Sequence, residues 1–217
     1  MSPRCGIFDL DGVLLDSEPL HVEATNQVLQ RFGHKLTVEE NARFMGLADR
    51  EYWEALLEHF GLKGVDPVPL AREKARVYTA LIQERPLQPF PGVRETLEGL
   101  ARAGWRMAVA SSSRREDIEI ILRRLGIRVF FQAVVSGEEV PRSKPDPAIF
   151  LEAARRLNCD PGACVVVEDS LNGIQAALRA GMRVVAFNPP VPPPEEIPVV
   201  RWFPALPRYL AEASASA

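Results

Sequence analysis

The chain has 217 residues, of which 47% are hydrophobic and 25% are charged, and its formal net charge is −3 at pH 7. This composition is ordinary for a globular protein, and an acidic balance without an extended basic run argues against nucleic acid as a partner. No apolar run approaches the roughly 20 residues that cross a bilayer, and Asp9 comes too early for the apolar core of a signal peptide. We therefore expect a cytoplasmic monomer with no membrane partner.

The chain contains three cysteines, at Cys5, Cys159 and Cys164. They are odd in number, form no CxxC pair and are not accompanied by a histidine cluster. In a cytoplasmic protein this pattern favours reduced thiols.

The first predicted element is a buried strand over residues 5–8, and it ends in two closely spaced aspartates, Asp9 and Asp11, followed by Gly12. Two carboxylates this close repel each other, and each loses solvation on burial. Because Asp-x-Asp-Gly also forms turns well, the pair by itself leaves a turn-forming role open.

Residues 17–87 are predicted to form a small helical domain, because apolar residues recur there at helical spacing without a strand pattern. The segment opens after LLDSEP and closes at RPLQPFPG, which are both rich in turn residues. We therefore divide the chain into a core, residues 1–16 and 88–217, and an inserted cap, residues 17–87. Two short linkers of this kind suit a lid.

From about residue 90, short apolar strands alternate with amphipathic helices. Strands are predicted in WRMAVASSS, QAVVS, ACVVVED and RVVAF. Fully apolar strands separated by helices indicate a parallel sheet that is covered on both faces. The predicted fold class is therefore α/β, with a doubly wound parallel sheet and an inserted all-helical cap.

Several polar residues are predicted to meet at one edge of this sheet. In a doubly wound sheet the carboxyl ends of the strands share an edge, and the crevice there is the usual ligand site. Besides the two aspartates, the residues expected at this edge are Ser111, Ser112, Lys144, Glu168 and Asp169. Each also has a structural explanation, since a serine or an acidic residue can cap a helix and a loop lysine can be solvated. We expect Ser113 to be such an N-cap.

The chemistry of this set indicates a phosphoryl-transfer site. Carboxylates without His or Cys are hard ligands that suit Mg²⁺, and the ion would relieve the repulsion between the aspartates. Lys144 is a point cation, and Ser111 with the backbone N–H groups after it can donate to a phosphoryl oxygen. Gly12 lets the backbone come close to a ligand. Positive groups around one spot favour a phosphoryl group in transfer.

The sequences DLDGVLLDSEP, SKPDP and VEDS, with the serine that ends the second core strand, resemble the four motifs of the haloacid dehalogenase superfamily. Their order and spacing resemble the branch that contains β-phosphoglucomutase and sugar-phosphate phosphatases. The resemblance implies a Mg²⁺-dependent phosphatase acting on a small phosphorylated substrate, with a sugar phosphate expected.

The resemblance also implies a role for each matched residue. Asp9 would attack phosphorus and form an aspartyl-phosphate, and Asp11 would protonate the leaving oxygen and then deprotonate the hydrolytic water. Dehalogenases of the superfamily lack this second aspartate, so Asp11 favours phosphoryl transfer. Ser111 and Ser112 would bind the phosphoryl group, and Lys144 would bridge it to Asp9.

Mg²⁺ would, by the same resemblance, be held by the Asp9 carboxylate, the main-chain carbonyl of Asp11 and Asp169. Glu168 would help directly or through water.

The cap is expected to select the substrate. By the resemblance, Arg50 would grip a second anionic group, and His21 falls where the mutase has a histidine, although we interpret it as a packed helix residue. Met45 stands where the mutase pattern has a lysine, which favours a phosphatase. A β-phosphoglucomutase-like isomerase and a catalytically silent binding module remain the alternatives.

Overall fold

The computed structural model describes residues 4–41, 43, 44 and 49–215. The chain divides into two compact units, one made of Met1–Asp16 with Leu87–Ala217 and the other of Ser17–Pro86. The second unit is therefore an insertion into the first, after its first strand.

The inserted unit is helical and has its own apolar core. Its helices are α1 (Glu18–Leu29), α2 (Val38–Asn41), α3 (Asp49–His59) and α4 (Pro67–Glu84). Helix α4 starts where it does because the Asp66 carboxylate accepts a hydrogen bond from the N–H of Val68 and a proline occupies the first turn. The core consists of Val28, Leu29, Leu36, Trp53, Leu56, Leu57 and Leu70.

The first unit is built on a sheet whose strands all run parallel. These strands are β1 (Cys5–Phe8), β2 (Arg106–Ser111), β3 (Ala133–Ser136), β4 (Cys164–Glu168), β5 (Arg183–Phe187) and β6 (Val199–Val200). Within the described residues the sheet has six strands in the order β3-β2-β1-β4-β5-β6. The parallel α/β fold predicted from the sequence is confirmed.

Helices cover both faces of this sheet, which explains the uninterrupted apolar strands. The helices are α5 (Val93–Arg102), α6 (Arg115–Arg124), α7 (Ala148–Leu157), α8 (Leu171–Arg179) and α9 (Leu206–Ala215). On one face, α7 and α8 pack in a core cluster with Ile7 and Val166. On the opposite face, Val109 and Val167 are also fully buried.

The structure contradicts the prediction that all three cysteines are reduced. Cys5, the first residue of β1, forms a disulfide with Cys159, which follows α7 and is 154 residues away in sequence. Because the packing of α7 against the sheet brings the two together, cysteine spacing alone could not reveal the bond. Cys164, the first residue of β4, is buried and remains a thiol, and burial raises its pKa to about 11.

Among the described residues, no helix combines the length and the apolar character that crossing a membrane requires.

Candidate active site

The carboxylate of Asp9 is buried at the end of β1 and is paired with Lys144. The N–H of Asp9 donates to the carbonyl of Val167 at 3.0 Å, which prolongs the pairing of β1 with β4. Lys144 Nζ donates to Asp9 Oδ1 at 2.8 Å, to Glu168 Oε1 at 2.6 Å and to the carbonyl of Ala110 at 3.2 Å. The ends of β1, β2 and β4 therefore converge on one ammonium group.

Burial and the neighbouring charges both shift the pKa values of Asp9 and Lys144. Burial raises the pKa of Asp9 to about 7 against the attraction of Lys144, and the charges of Glu168 and Asp11 raise it further. Burial alone would lower the pKa of Lys144, but attraction by Asp9 and Glu168 and hydrogen bonds to both raise it above its usual value. The positive charge of Lys144 therefore does not fully offset the negative charges of the surrounding carboxylates and the cost of burying them.

Asp169 lies beside this pair, against the turn that follows β1. Gly12 has φ +75°, and a Cβ built on it would lie 2.1 Å from Asp169 Oδ2, so only glycine fits there. Burial raises the pKa of Asp169 to about 8, and the negative charges of Asp9 and Glu168 add to the shift.

The carboxyl groups fit a hard divalent cation. One carboxylate oxygen from each of Asp9, Glu168 and Asp169 lies within 4.8 Å of the other two. Oxygen ligands of this kind suit Mg²⁺. Because a divalent cation would supply the positive charge that one lysine lacks, it would favour the ionised carboxylates.

Glu168 is held at the start of α8. Its Oε2 accepts hydrogen bonds from the N–H and the hydroxyl of Ser170, at 2.7 Å and 2.9 Å, and Ser170 Oγ accepts from the N–H of Gly173 at 3.0 Å. The N-cap of α8 is thus Ser170, so the capping role left open for Glu168 and Asp169 belongs to the next residue. The sequence prediction assigned no role to Ser170 or Gly173, although a serine directly before a helix is a capping signal.

Asp11 is held by two serines, one at the end of β2 and one just after it. Ser113 Oγ donates to Asp11 Oδ2 at 2.7 Å, and Ser111 Oγ donates to the same oxygen at 3.3 Å. The N-cap residue of α6 is Arg114, so the prediction that Ser113 caps this helix is wrong: its hydroxyl is bonded to a carboxylate instead. Ser112, between the two serines, is exposed.

The predicted residues of the inserted unit occupy separate positions within it. Arg50 is exposed on α3 and donates to Glu54 Oε1 at 2.7 Å. His21 stacks on Tyr78 with ring centroids 4.0 Å apart, which fits its interpretation as a packed helix residue. Met45 lies outside the described residues.

The residues that the structure gathers at the carboxyl edge of the sheet are Asp9, Asp11, Gly12, Ser111, Lys144, Glu168 and Asp169. Buried acids around one buried lysine, beside small hydroxyl donors, can neutralise and orient an anionic group.

Comparison with known proteins agrees with the resemblance that the sequence motifs indicate. The family model of haloacid dehalogenase-like hydrolases matches residues 6–187. A phosphorylated carbohydrates phosphatase of Thermotoga maritima is 38% identical over 181 residues, covering 81% of each chain. The β-phosphoglucomutase of Bacillus subtilis is 34% identical over 187 residues, covering 84% of this chain and 82% of that protein.

The fold also resembles a solved structure closely. The crystal structure of CbbY from Rhodobacter sphaeroides, in complex with phosphate, has a TM-score of 0.80 and 28% identity, and the match covers 94% of this chain and 96% of that one. Since the family model spans most of the chain and the curated relatives align over four-fifths of it, the chain belongs to the haloacid dehalogenase-like hydrolase family.

Proposed function

We propose that this chain is a Mg²⁺-dependent phosphatase that hydrolyses a small sugar phosphate through an aspartyl-phosphate on Asp9. The observation that carries the proposal is the contact of 2.8 Å between Lys144 Nζ and Asp9 Oδ1, at the edge where Glu168 and Asp169 also lie. The Thermotoga maritima relative, named for phosphorylated carbohydrates, supports a sugar phosphate as the substrate class.

In the first half of the reaction, each side chain would have a separate task. Lys144 offsets the negative charge that would otherwise keep the Asp9 carboxylate away from a phosphate ester. A carboxylate oxygen of Asp9 forms a bond to phosphorus, and the bond from phosphorus to the sugar oxygen breaks. Asp11 gives its proton to that departing oxygen, which leaves as an alcohol rather than as an alkoxide.

The same residues would complete the second half. Water attacks the phosphorus of the aspartyl-phosphate, and Asp11, now ionised, takes a proton from that water. The bond between Asp9 and phosphorus breaks, inorganic phosphate leaves, and the Asp9 carboxylate is restored. Ser111, the last residue of β2, and Ser112, which follows it, would donate to the phosphoryl oxygens.

Asp9, Asp169 and the main-chain carbonyl of Asp11 would hold Mg²⁺, which when bound supplies positive charge toward the phosphoryl oxygens. Both oxygens of Glu168 already accept hydrogen bonds, from Lys144 and Ser170. Glu168 would therefore contact the ion through a water molecule rather than directly.

Phosphate release tests the proposal. Wild-type protein with Mg²⁺ is assayed on a panel of sugar phosphates and on p-nitrophenyl phosphate, beside Asp9→Asn and Asp11→Asn. We expect turnover by the wild type and a loss of at least about 10²-fold in each variant. Full activity in Asp9→Asn would refute the mechanism, and a wild type that releases no phosphate from any ester would favour a silent binding module.

A mutase is the second candidate, and the Bacillus subtilis relative favours it. The discriminating measurement is the conversion of glucose 1-phosphate to glucose 6-phosphate, followed together with phosphate release. Interconversion faster than phosphate release would identify a mutase. We expect the opposite order, because Met45 stands where the mutase pattern has a lysine.

A further inference from the structure

We propose that Ser113 is a positioning residue for Asp11, holding its carboxyl group in the orientation from which the proton reaches the departing oxygen. The inference rests on the proposed phosphatase function and adds to it a residue outside the matched motifs. It concerns the first chemical step, in which Asp11 acts as the acid.

Ser113 contacts the Asp11 carboxyl group more closely than Ser111 does, on the same oxygen. Ser113 Oγ lies 2.7 Å from Asp11 Oδ2, whereas Ser111 Oγ lies 3.3 Å from it. A distance of 2.7 Å is the usual value for a hydrogen bond between two oxygens, whereas 3.3 Å is long. Of the hydrogen bonds that Ser111 and Ser113 donate to this carboxyl group, the one from Ser113 is therefore the stronger.

Ser113 is itself held by the ends of two neighbouring strands. Its N–H donates to Ser111 Oγ at 3.1 Å, and its carbonyl accepts from Ser136 Oγ at 2.7 Å. Ser111 ends β2 and Ser136 ends β3, where the two residues are partners in the parallel ladder. Ser136 is fully buried. The position of the Ser113 hydroxyl is thus set by the sheet rather than by a free loop.

The adjoining backbone is packed closely as well. A Cβ built on Gly137 would lie 2.9 Å from the carbonyl oxygen of Ser112. The backbone at Ser112 therefore packs directly against the residue that follows β3, and a side chain at Gly137 would push this backbone away. Small movements of Ser113 are therefore restricted, as positioning requires.

A hydroxyl group suits this task because it both donates and accepts. It can donate to Asp11 when the carboxyl group is ionised, and it can accept from it when the group carries a proton. The contact can therefore persist while Asp11 gives up its proton to the departing oxygen and later takes one from water. An alanine would remove the contact in both states, and a threonine would keep it.

The leaving group distinguishes a positioning role from a structural one. A sugar oxygen leaves poorly without a proton, whereas p-nitrophenolate is a stable anion that needs little help. Because kcat/KM reports the steps up to the breaking of the ester bond, it isolates the acid step from later hydrolysis. Loss of positioning should therefore lower kcat/KM for a sugar phosphate much more than for p-nitrophenyl phosphate.

The experiment measures kcat/KM for glucose 6-phosphate and for p-nitrophenyl phosphate, with Mg²⁺, in wild type, Ser113→Ala and Ser113→Thr. General acid catalysis contributes about 10²–10⁴-fold, so Ser113→Ala should lose about tenfold or more on the sugar phosphate and less than about threefold on the aryl ester. Ser113→Thr should recover most of the difference. Should Ser113→Ala fail to fold, Ser113→Cys, which keeps only a weak donor, must show the same contrast.

The remaining outcomes overturn the inference. Equal losses on both substrates would mean that Ser113 binds the phosphoryl group or supports the fold. Unchanged values on both would mean that Asp11 needs no such contact, while the phosphatase proposal would stand. If the wild type hydrolyses neither ester, the proposed function fails and the inference fails with it.

Discussion

Gly173 lies directly against the carboxylate of Glu168: a Cβ built on the glycine would be 1.8 Å from Oε1. An alanine inside a helix normally stabilises it by about 1 kcal/mol relative to glycine. Here we expect Gly173→Ala to destabilise the protein by about 1–3 kcal/mol, because the added methyl must displace a buried, hydrogen-bonded carboxylate. Denaturant unfolding measures the change, and phosphate release should fall with it.

A matched control for that substitution is Gly99→Ala in α5. Among the described residues, no heavy atom beyond the local helix lies within 4 Å of a Cβ built on Gly99, so this variant should be as stable as the wild type or up to about 1 kcal/mol more stable. Equal stability gains in the two variants would mean that Glu168 turns away at little cost.

Removing the charge of Lys144 should destabilise the fold as well as stop turnover. Its side chain is 7% exposed and joins Asp9 to Glu168, so Lys144→Met leaves both carboxylates buried without their cation. Breaking a buried ion pair from one side costs about 3–5 kcal/mol. We expect urea unfolding of metal-free protein at neutral pH to show a loss of this size.

The double variant Lys144→Met, Glu168→Gln is the control for this prediction. It removes a buried negative charge together with the positive one, so it should regain part of the lost stability while remaining inactive. A double variant less stable than Lys144→Met would show that the loss does not come from unpaired charge.

The acidic cluster should make the metal-free protein less stable as pH rises. The pKa values of Asp9 and Asp169 are raised in the folded state, from 3.8 to about 7 and to about 8. Between about pH 4 and pH 8 the folded state therefore binds more protons than the unfolded state, and the free energy of unfolding falls with increasing pH. Below about pH 4 both states are protonated, so the dependence on pH disappears and the stability that these two protonated carboxyl groups contribute is fully present.

The variant Asp169→Asn separates the contribution of Asp169 to this pH dependence from the contributions of the other titrating groups. With a chelator present, the variant should gain stability relative to the wild type as pH rises from about 5 to about 8. If Mg²⁺ occupies the proposed site in the folded wild type, adding it should reverse the order at the higher pH. A stability difference that does not change with pH would contradict the raised pKa of Asp169.

The disulfide between Cys5 and Cys159 should contribute to stability in the absence of reductant. The bond closes a loop with a sequence separation of 154 residues, and such cross-links contribute about 2–4 kcal/mol, mainly by restricting the unfolded chain. We expect reductant and Cys159→Ser to lower the free energy of unfolding alike, while Cys164→Ser should keep its sensitivity to reductant.

Thiol titration provides an independent check on the bond. The denatured, unreduced protein should react with one equivalent of a thiol reagent, at Cys164, and with three after reduction. Three reactive thiols before reduction would restore the interpretation made from the sequence.

The sequence predicts the part of the site that depends on strand order. Asp9, Ser111 and Glu168 each stand where an apolar strand ends, and parallel strands bring their carboxyl ends together. Lys144 follows no strand directly, and only the flanking SKPDP motif indicated it. These expectations rest on periodicity and position along the chain, which a sequence displays.

Contacts between side chains of distant segments could not be predicted in this way. The hydroxyl of Ser113 could satisfy a helix N-terminus or a carboxylate, and only the position of Asp11 decides between them. Likewise, the disulfide depends on where α7 ends relative to β1. Both contacts follow from three-dimensional packing, which the local sequence does not reveal.

The position of β1 near the middle of the sheet has a consequence for the order in which the chain folds. The two strands that flank it begin at Arg106 and Cys164, so β1 leaves the ribosome before its partners, which are synthesised about 100 and 160 residues later. The helical insertion is one stretch of 70 consecutive residues, from Ser17 to Pro86, and it emerges complete in the meantime. We expect the nascent chain to form its helices first and to assemble the catalytic edge only when β4 has been made.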